Sequence, residues 1–228
     1  MKILSLSDQV LDFIYTPTVA KKYGKVDLVI GCGDLPYYYL EFLVDVLERP
    51  TFFVRGNHNA EVEYTAGGDR KQPWGAVDLH RRVVNHEGLL LAGFQGSLRY
   101  RRGPFMYSQG EMWSRVLGLT PRLLANWVRH GRALDILVTH APPRGVHDKA
   151  DLAHQGFNAF RWLLRVFKPR YHFHGHIHVY DRKTPTLTRF KDTLVVNAYG
   201  YRTTHLHIPE LNGQERKARS EGQEERHG

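Results

Sequence analysis

Short apolar runs alternate with a segment of helical periodicity at the start of the chain. Residues 2–6, 26–30 and 51–55 are apolar enough to form buried strands, and glycine or polar residues follow each of them. Between the second and third runs, residues 36–47 carry apolar side chains at helical spacing. Pro36 stands near the first turn, where its missing N–H is tolerated. This β-α-β order predicts parallel strands in the first part of the chain.

The rest of the chain is richer in strands. Residues 83–84 and 89–94 flank a polar break and predict a hairpin. A parallel early half and an antiparallel late half indicate an α/β fold in which two sheets pack face to face with helices outside. The patterns predict further helices over residues 111–117, 121–130 and 157–167, and further strands over residues 136–139, 171–173, 186–189, 194–197 and 205–208.

The composition is that of one globular domain. With 228 residues, of which 42% are hydrophobic, the chain can bury a large core, which we assign to residues 1–212. The charged residues 213–228 predict a disordered tail. No apolar run approaches the roughly 18 residues of a membrane span, and Asp8 comes too early for a signal peptide. We therefore expect a cytoplasmic protein that does not enter membranes.

The single cysteine and the location of the positive charge indicate which ligands the protein can bind. The single cysteine, Cys32, cannot form an internal disulfide, and we expect it to fill space between two glycines rather than bind a metal. Of the net charge of +9, none comes from the tail, whereas residues 88–134 hold seven arginines and one acid. Such a region attracts phosphate-bearing ligands. Because Tyr100 lies between arginines, these ligands include nucleotides and nucleic acid. The alternative is a solvated basic face that binds no ligand. The seven are Arg99, Arg101, Arg102, Arg115, Arg122, Arg129 and Arg132.

Two histidines follow the apolar run at residues 171–173. In Gly175-His176-Ile177-His178 the imidazoles stand at i and i+2, so in an extended segment they point to the same side. They can hold one metal ion or two adjacent ions, although two histidines that cap a strand fit the same pattern.

Other polar residues also follow predicted strands, and the carboxyl ends of parallel strands meet at one edge of a sheet. Read singly, these residues fit a helix cap, a turn or a strand end; read together, they form a nitrogen and oxygen donor set that suits Mn, Fe or Zn. Asp34 is the candidate for a carboxylate shared by two ions. The converging residues are Asp8, Asp34, Asn57, His140, His176 and His178.

Five blocks in this order resemble the calcineurin-like metallophosphoesterases. The resemblance implies a four-layer α/β/β/α sandwich of two mixed sheets. It also implies two divalent metal ions and hydrolysis of phosphate mono- or diesters by a metal-bound hydroxide. The blocks are Ser7-Asp8, Gly33-Asp34, Gly56-Asn57-His58, Thr139-His140-Ala141 and Gly175-His176-Ile177-His178.

The resemblance also assigns roles to individual residues. His58 is similar to the histidine that faces the substrate phosphate and acts in catalysis, and Arg55 is similar in placement to a phosphate-binding arginine. We add His154 as a substrate contact, because the loop before it follows the His140 block and can form a rim; a solvated loop histidine is the alternative. By resemblance, the first ion is held by Asp8, Asp34 and His178, and the second by Asp34, Asn57, His140 and His176.

One block departs from the family. The usual Asp-x-His reads Asp8-Gln9-Val10 here, and valine cannot bind a metal. A turn could bring Gln9 inward, but in an extended segment it faces the opposite side from the missing histidine. The first site is therefore expected to be completed by water or a neighbouring side chain and to be weak. The alternatives are a single working metal acting on a nucleotide or lipid diphosphate, or a protein that binds nucleic acid or phosphorylated ligands with a degenerate metal site.

Overall fold

A computed structural model describes residues 1–65, 67–181 and 183–208. Its strands form two large sheets and one short ribbon of two strands, β7 (Ser97–Leu98) and β8 (Met106–Tyr107). The first sheet has the order β13-β1-β2-β3-β4 and the second has the order β11-β12-β10-β9-β6-β5. The first contains β1 (Lys2–Ser7), β2 (Leu28–Gly31), β3 (Thr51–Phe53), β4 (Ala76–Asp78) and β13 (Gly200–His205), and the second contains β5 (Val83–His86), β6 (Leu89–Phe94), β9 (Ile136–Thr139), β10 (Tyr171–His174), β11 (Leu187–Phe190) and β12 (Thr193–Asn197).

Both sheets have parallel centres; the first has one antiparallel edge strand and the second has two. β1, β2, β3 and β4 run parallel, and β13 pairs antiparallel with β1. In the second sheet β6, β9, β10 and β12 run parallel, while β5 and β11 are antiparallel edges. The expected antiparallel late half is therefore wrong: the connection through residues 140–170 is long enough for a parallel crossover between β9 and β10.

Three apolar clusters separate four layers. Ile30 and Phe52 of the first sheet pack with Val138 and Phe173 of the second, so the sheets lie face to face. A second cluster joins the outer face of the first sheet to two helices, α1 (Val19–Tyr23) and α2 (Tyr37–Leu47). A third joins the outer face of the second sheet to α3 (Gln109–His130) and α4 (Asn158–Phe167). The four-layer α/β/β/α sandwich of two mixed sheets is confirmed.

The long helix α3 corrects the prediction of two helices. The sequence pattern predicts separate helices over residues 111–117 and 121–130, yet one helix runs through Pro121. One buried stripe, made of Met112, Val116, Leu119 and Leu123, continues across that position at helical spacing. Burial of this stripe against the second sheet outweighs the roughly 3 kcal/mol cost of an internal proline.

Smaller differences concern the end of the chain and the segment after His58. The last strand covers Gly200–His205 instead of residues 205–208, because it pairs along the whole of β1. Residues 76–78, for which the sequence pattern predicts no strand, form β4 on the edge of the first sheet. The tail at residues 213–228 lies outside the described residues. Among the helices that the structure describes, none combines the length and apolar character that a bilayer crossing requires.

Candidate metal centre

The predicted ligands gather where the two sheets meet at the carboxyl ends of their central strands. Asp8 follows β1 directly, Asp34 follows β2 through Cys32 and Gly33, and Asn57 lies beyond β3. The second sheet supplies His140 directly after β9, together with His176 and His178 after β10. Each sheet therefore contributes three of the six residues. Their meeting depends on the face-to-face packing of the sheets as well as on the strand order.

Three of these residues have left-handed backbone conformations. φ is 65° at Asp8, 53° at Asp34 and 66° at His176. At Asp8 and His176 the chain makes three-residue turns, closed by Gln9 N–H to Ser7 O at 2.8 Å and by Ile177 N–H to Gly175 O at 2.7 Å. The segment 175–178 is therefore not extended, and the expectation that both imidazoles point to one side of a strand is wrong. Such conformations cost free energy and are typical of functional sites.

Two glycines allow the loops to approach one another. A Cβ at Gly33, where φ is 93°, would lie 2.5 Å from His140 Nδ1. A Cβ at Gly175 would lie 1.8 Å from Ser7 Oγ and 2.7 Å from Asp8 Oδ2. Any larger residue at either position would push the two sheets' ligands apart.

Asp34, Asn57 and His140 form what we call the deep half of the site. His140 is 0% exposed, and its Nδ1 lies 2.8 Å from the carbonyl oxygen of Cys32, which can only accept, so Nδ1 carries a proton. Its Nε2 then faces Asp34 Oδ2 at 3.2 Å and Asn57 Oδ1 at 3.1 Å. Both oxygens are acceptors, and neutral Nε2 is an acceptor too. Three acceptors around one point require a cation there, either a proton on His140 or a metal ion.

The ionisation of the deep half follows from its burial and its charges. Burial disfavours the ionised form of Asp34, but the charge and hydrogen bond of His140 and the backbone N–H of His58 together lower the pKa of Asp34 to about 2. Burial also opposes the charged form of His140, yet the Asp34 carboxylate raises the pKa of His140 to about 9. A divalent ion would replace the proton held between these groups, because it offers more positive charge to the same lone pairs. The donor set therefore fits a metal ion.

Asp8 links the deep half to the other half of the site. Asp8, Asp34 and His140 have ligand atoms that all lie within 4.8 Å of one another, close enough to hold one ion. The backbone N–H of His176 donates to Asp8 Oδ2 at 2.9 Å and fixes its carboxylate. The His176 ring lies beside His140 at 4.9 Å between centroids, while its Nε2 donates to Ala153 O at 2.7 Å. Nδ1 of His176 is thus the nitrogen left for a metal.

Asp8, Gln9, His178 and Tyr199 form what we call the open half. His178 Nε2 lies 3.7 Å from Asp8 Oδ1, and the His178 side chain is 40% exposed. Its ring stacks on Tyr199 at 4.7 Å, and the Gln9 amide donates to the Tyr199 hydroxyl at 2.7 Å. Val10 packs against the apolar cluster under the first sheet. The turn at Asp8 therefore brings Gln9 to the side of His178, while Val10 is partly buried against this cluster.

The predicted catalytic and substrate residues lie around these halves. His58 is exposed, and its backbone N–H donates to Asp34 Oδ1 at 2.8 Å. His154 is half-exposed, 5.4 Å from the His176 ring between centroids, and its Nδ1 lies 2.7 Å from Asp151 Oδ1. Both imidazoles stand at the rim of the site.

The guanidinium group of Arg55 already has partners within the protein. Its guanidinium is paired with Asp78 and donates to the Tyr37 hydroxyl at 3.0 Å and to the Lys71 carbonyl at 2.6 Å. Arg55 can therefore bind phosphate only by exchanging one of these contacts. Cys32 is fully buried, which raises the pKa of its thiol well above the usual value and fits its expected space-filling role.

Sequence reasoning missed two residues that shape the site. Asn59 Oδ1 accepts from the backbone N–H groups of Asp34 and Gly56 at 3.0 and 2.7 Å, so it holds the two ligand loops together. Tyr199 supports the open half from the loop before β13. Asn59 could have been noticed from its place beside Gly56-Asn57-His58, whereas no local signal identifies Tyr199.

Comparison with known proteins identifies a family. A family model for calcineurin-like phosphoesterases matches residues 1–180, a range that contains all six candidate ligands. One crystal structure covers 89% of this chain and 93% of its own, with a TM-score of 0.60 at 15% identity. Another, TT1561 of Thermus thermophilus, covers 90% and 99%, with a TM-score of 0.58 at 16% identity. These two likenesses concern the fold alone. No curated protein matches the sequence.

Proposed function

The chain belongs to the calcineurin-like phosphoesterase family, and from that premise we propose that it is a metal-dependent hydrolase of phosphate mono- or diesters. The observation that supports this most directly is the convergence of three acceptor atoms in the deep half: His140 Nε2, Asp34 Oδ2 and Asn57 Oδ1. A site built only to bind an anion would present hydrogen-bond donors instead. This arrangement attracts cations and therefore suits a metal centre that acts on phosphate.

The proposal assigns two divalent ions, manganese, iron or zinc, to the two halves. Asp34, Asn57, His140 and His176 would hold one ion, while Asp8, Asp34 and His178 would hold the other. Such ions, when bound, neutralise charge on the phosphoryl oxygens and make water a better nucleophile. We also propose a cytoplasmic location, since the one cysteine is free.

In the proposal His58 is the catalytic residue. Its backbone is fixed by Asp34, while its imidazole, exposed at the rim, has no hydrogen-bond partner within residues 1–65, 67–181 and 183–208. A ring N–H is therefore free to donate to a phosphoryl oxygen and to give its proton to the departing oxygen. His154 would contact the substrate from the opposite side, and Arg55 would bind phosphate by giving up its contact with Lys71.

The test is hydrolysis of p-nitrophenyl phosphate and bis-p-nitrophenyl phosphate with Mn²⁺, Fe²⁺ or Zn²⁺. We expect activity on at least one of these esters and a fall in kcat of about 10²- to 10⁴-fold in His58→Ala, because a general acid contributes about that much. Metal binding, measured by calorimetry, is expected to stay unchanged in this variant. The ratio of the two rates decides between monoester and diester preference.

His205→Ala is the matched control, because His205 is exposed and pairs with Lys2 at the opposite end of β1 from Asp8. It is expected to leave the rate unchanged. Absence of hydrolysis with every metal, together with binding of nucleic acid or phosphorylated ligands, would overturn the enzyme and favour a binding protein with a degenerate site.

A further inference from the structure

The loop between β7 and β8 borders the candidate metal centre. The Tyr100 hydroxyl lies 3.5 Å from Asn57 Nδ2, the nitrogen of the amide whose oxygen faces His140. Before the loop, Gly96 N–H donates to the Arg55 carbonyl at 2.8 Å, which joins it to the strand that leads to Asn57. β7 also packs against the short turn Leu152–His154, whose Ala153 carbonyl accepts from His176. The loop thus stands at the rim between Asn57 and His154.

Contacts at its base hold this loop in place. Ser97 N–H donates to the Phe105 carbonyl at 3.1 Å, and Arg99 N–H donates to the Tyr107 carbonyl at 3.0 Å. The Arg99 guanidinium binds Glu111 at 2.7 Å, and Glu111 in turn caps the start of α3. The loop therefore projects from a base that the protein holds in a fixed position.

The tip of the loop carries positive charge that the protein does not use. Arg101 and Arg102 are exposed, and no acid pairs with either of them in the part of the chain that the structure describes. Arg101 lies over the Tyr100 ring, with its Cζ 5.6 Å from the ring centroid. By contrast, Arg99 and Arg132 from the same basic region are paired with Glu111 and Asp135. The charge available at the rim comes from two guanidinium groups beside one aromatic ring.

We propose that this loop makes the site selective for nucleotide substrates that carry a phosphate besides the scissile one. Guanidinium groups bind a phosphate in bidentate fashion, and an aromatic ring with a cation beside it stacks on a base. Tyr100 therefore receives the base, and Arg101 and Arg102 receive the second phosphate, while the scissile phosphate lies at Asn57. The inference rests on the proposed phosphoesterase function and adds its substrate class.

Three substrates that release the same p-nitrophenol separate the contributions. They are bis-p-nitrophenyl phosphate, thymidine 5′-(p-nitrophenyl phosphate), and the latter compound with an added 3′-phosphate. The first step in the series adds the nucleoside, and the second adds the second phosphate. We expect kcat/KM to rise at each step. In Arg101→Ala/Arg102→Ala, the gain in kcat/KM from the second phosphate is expected to be about tenfold smaller than in the wild type, the loss typical of charged hydrogen bonds. In Tyr100→Ala, the gain in kcat/KM from the nucleoside is expected to be smaller than in the wild type.

Arg122→Ala/Arg129→Ala is the control with the same change of charge. Both arginines are exposed on α3. The last turn of α3 is followed by Arg132 and Asp135 at the amino end of β9, whereas His140 follows the carboxyl end of that strand. This control is expected to keep all three rates. If the three substrates react equally in the wild type, or if the rim variant and the control lose the same amount, the inference is wrong.

A binding experiment separates this inference from the proposed function. Thymidine 3′,5′-bisphosphate is titrated calorimetrically into chelator-treated wild type, the rim variant and the control, so that no turnover is needed. A Kd that weakens about tenfold only in the rim variant supports the loop as a nucleotide site even if none of the three esters is hydrolysed. Equal Kd values in all three proteins, with hydrolysis intact, would overturn the nucleotide site and leave the phosphoesterase standing.

Discussion

The two halves of the candidate metal centre differ in how completely the protein prepares them. In the deep half, His140 is fully buried and oriented by the Cys32 carbonyl, and the Asp34 side chain is only 8% exposed. In the open half, His178 is 40% exposed and its Nε2 lies 3.7 Å from Asp8 Oδ1. The partly buried Val10 stands where the family pattern has a histidine. Because a preformed site loses less entropy on binding, the deep half should bind an ion more tightly.

The comparison also shows why the departure at Val10 need not disable the protein. Gln9, bonded to Tyr199, lies on the side of His178 because Asp8 has a positive φ. The open half keeps a carboxylate, an imidazole and two polar neighbours. We therefore expect it to bind an ion weakly, while the deep half keeps Asp34, Asn57 and His140 together.

The largest expected effect tests the two halves with the same substitution. His140→Gln should abolish the tighter metal-binding event, because it removes the buried imidazole at the centre of the deep half, and should destabilise the metal-free fold by about 2–3 kcal/mol through lost buried hydrogen bonds. His178→Gln should weaken only the second event, about tenfold, and change stability by less than about 1 kcal/mol. Mn²⁺ calorimetry and urea unfolding measure both. Equal losses in the two variants would contradict the division into halves.

A smaller effect is expected from the dependence of stability on pH in the deep half. The folded pKa of His140, about 9, lies above its ordinary 6.5, so the Asp34–His140 pair stabilises the metal-free fold fully below pH 6.5 and loses this as the pH rises through 9. The folded pKa of Asp34, about 2, lies below its ordinary 3.8, so the contribution is also lost as the pH falls from 3.8 through 2.

The measurement is the Tm of chelator-treated protein across this range, compared with His140→Gln. The difference between the two proteins should be greatest between pH 3.8 and 6.5. A difference that grows as the pH rises from 6.5 to 9 would show that the pair is not charged in the metal-free fold.

The smallest expected effect comes from returning a histidine to the open half. Gln9→His should tighten the weaker Mn²⁺ binding a few-fold, because residue 9 lies on the side of His178. Val10→His serves as the matched control: it should leave Mn²⁺ affinity unchanged and cost about 1–3 kcal/mol, since it places a polar ring against the core. Calorimetric titration with Mn²⁺ measures both. A gain from Val10→His rather than Gln9→His would show that the turn at Asp8 does not direct the side chains in this way.

Much of the fold could be predicted because its signals are local. Residues 2–6, 51–55 and 136–139 are mostly apolar, and the strands that they form are almost completely buried, as central strands are. The path of α3 through Pro121 could not be predicted from local rules, because a stripe of side chains packed on the second sheet decides it. The same holds for β13, which was expected at residues 205–208, since pairing along β1 fixes its position.

The candidate ligands were visible in the sequence because polar residues after buried strands are few and their order matched a known pattern. From Asp8-Gln9-Val10 the sequence also predicts that the first metal site is weak and is completed by water or a neighbouring side chain, and this stays a prediction. Arg55 shows the limit of such reasoning. Its place before Gly56-Asn57-His58 predicted an arginine that binds phosphate. In the structure, however, its guanidinium is paired with Asp78 and donates to the Lys71 carbonyl, both of which lie later in the chain.

By itself, the sequence determined the layered α/β class, the chemical types of the ligands and their order along the chain, because these depend on composition and short-range pattern. Only the tertiary structure decided which ligands are buried and which are exposed. The proton position on His140 is set by the Cys32 carbonyl, 108 residues away, and the open half is supported by Tyr199, 190 residues from Gln9. Sheet pairing brings such partners together, and burial then strengthens the hydrogen bonds between them, because the interior has a low dielectric constant. Neither effect can be predicted from neighbouring residues.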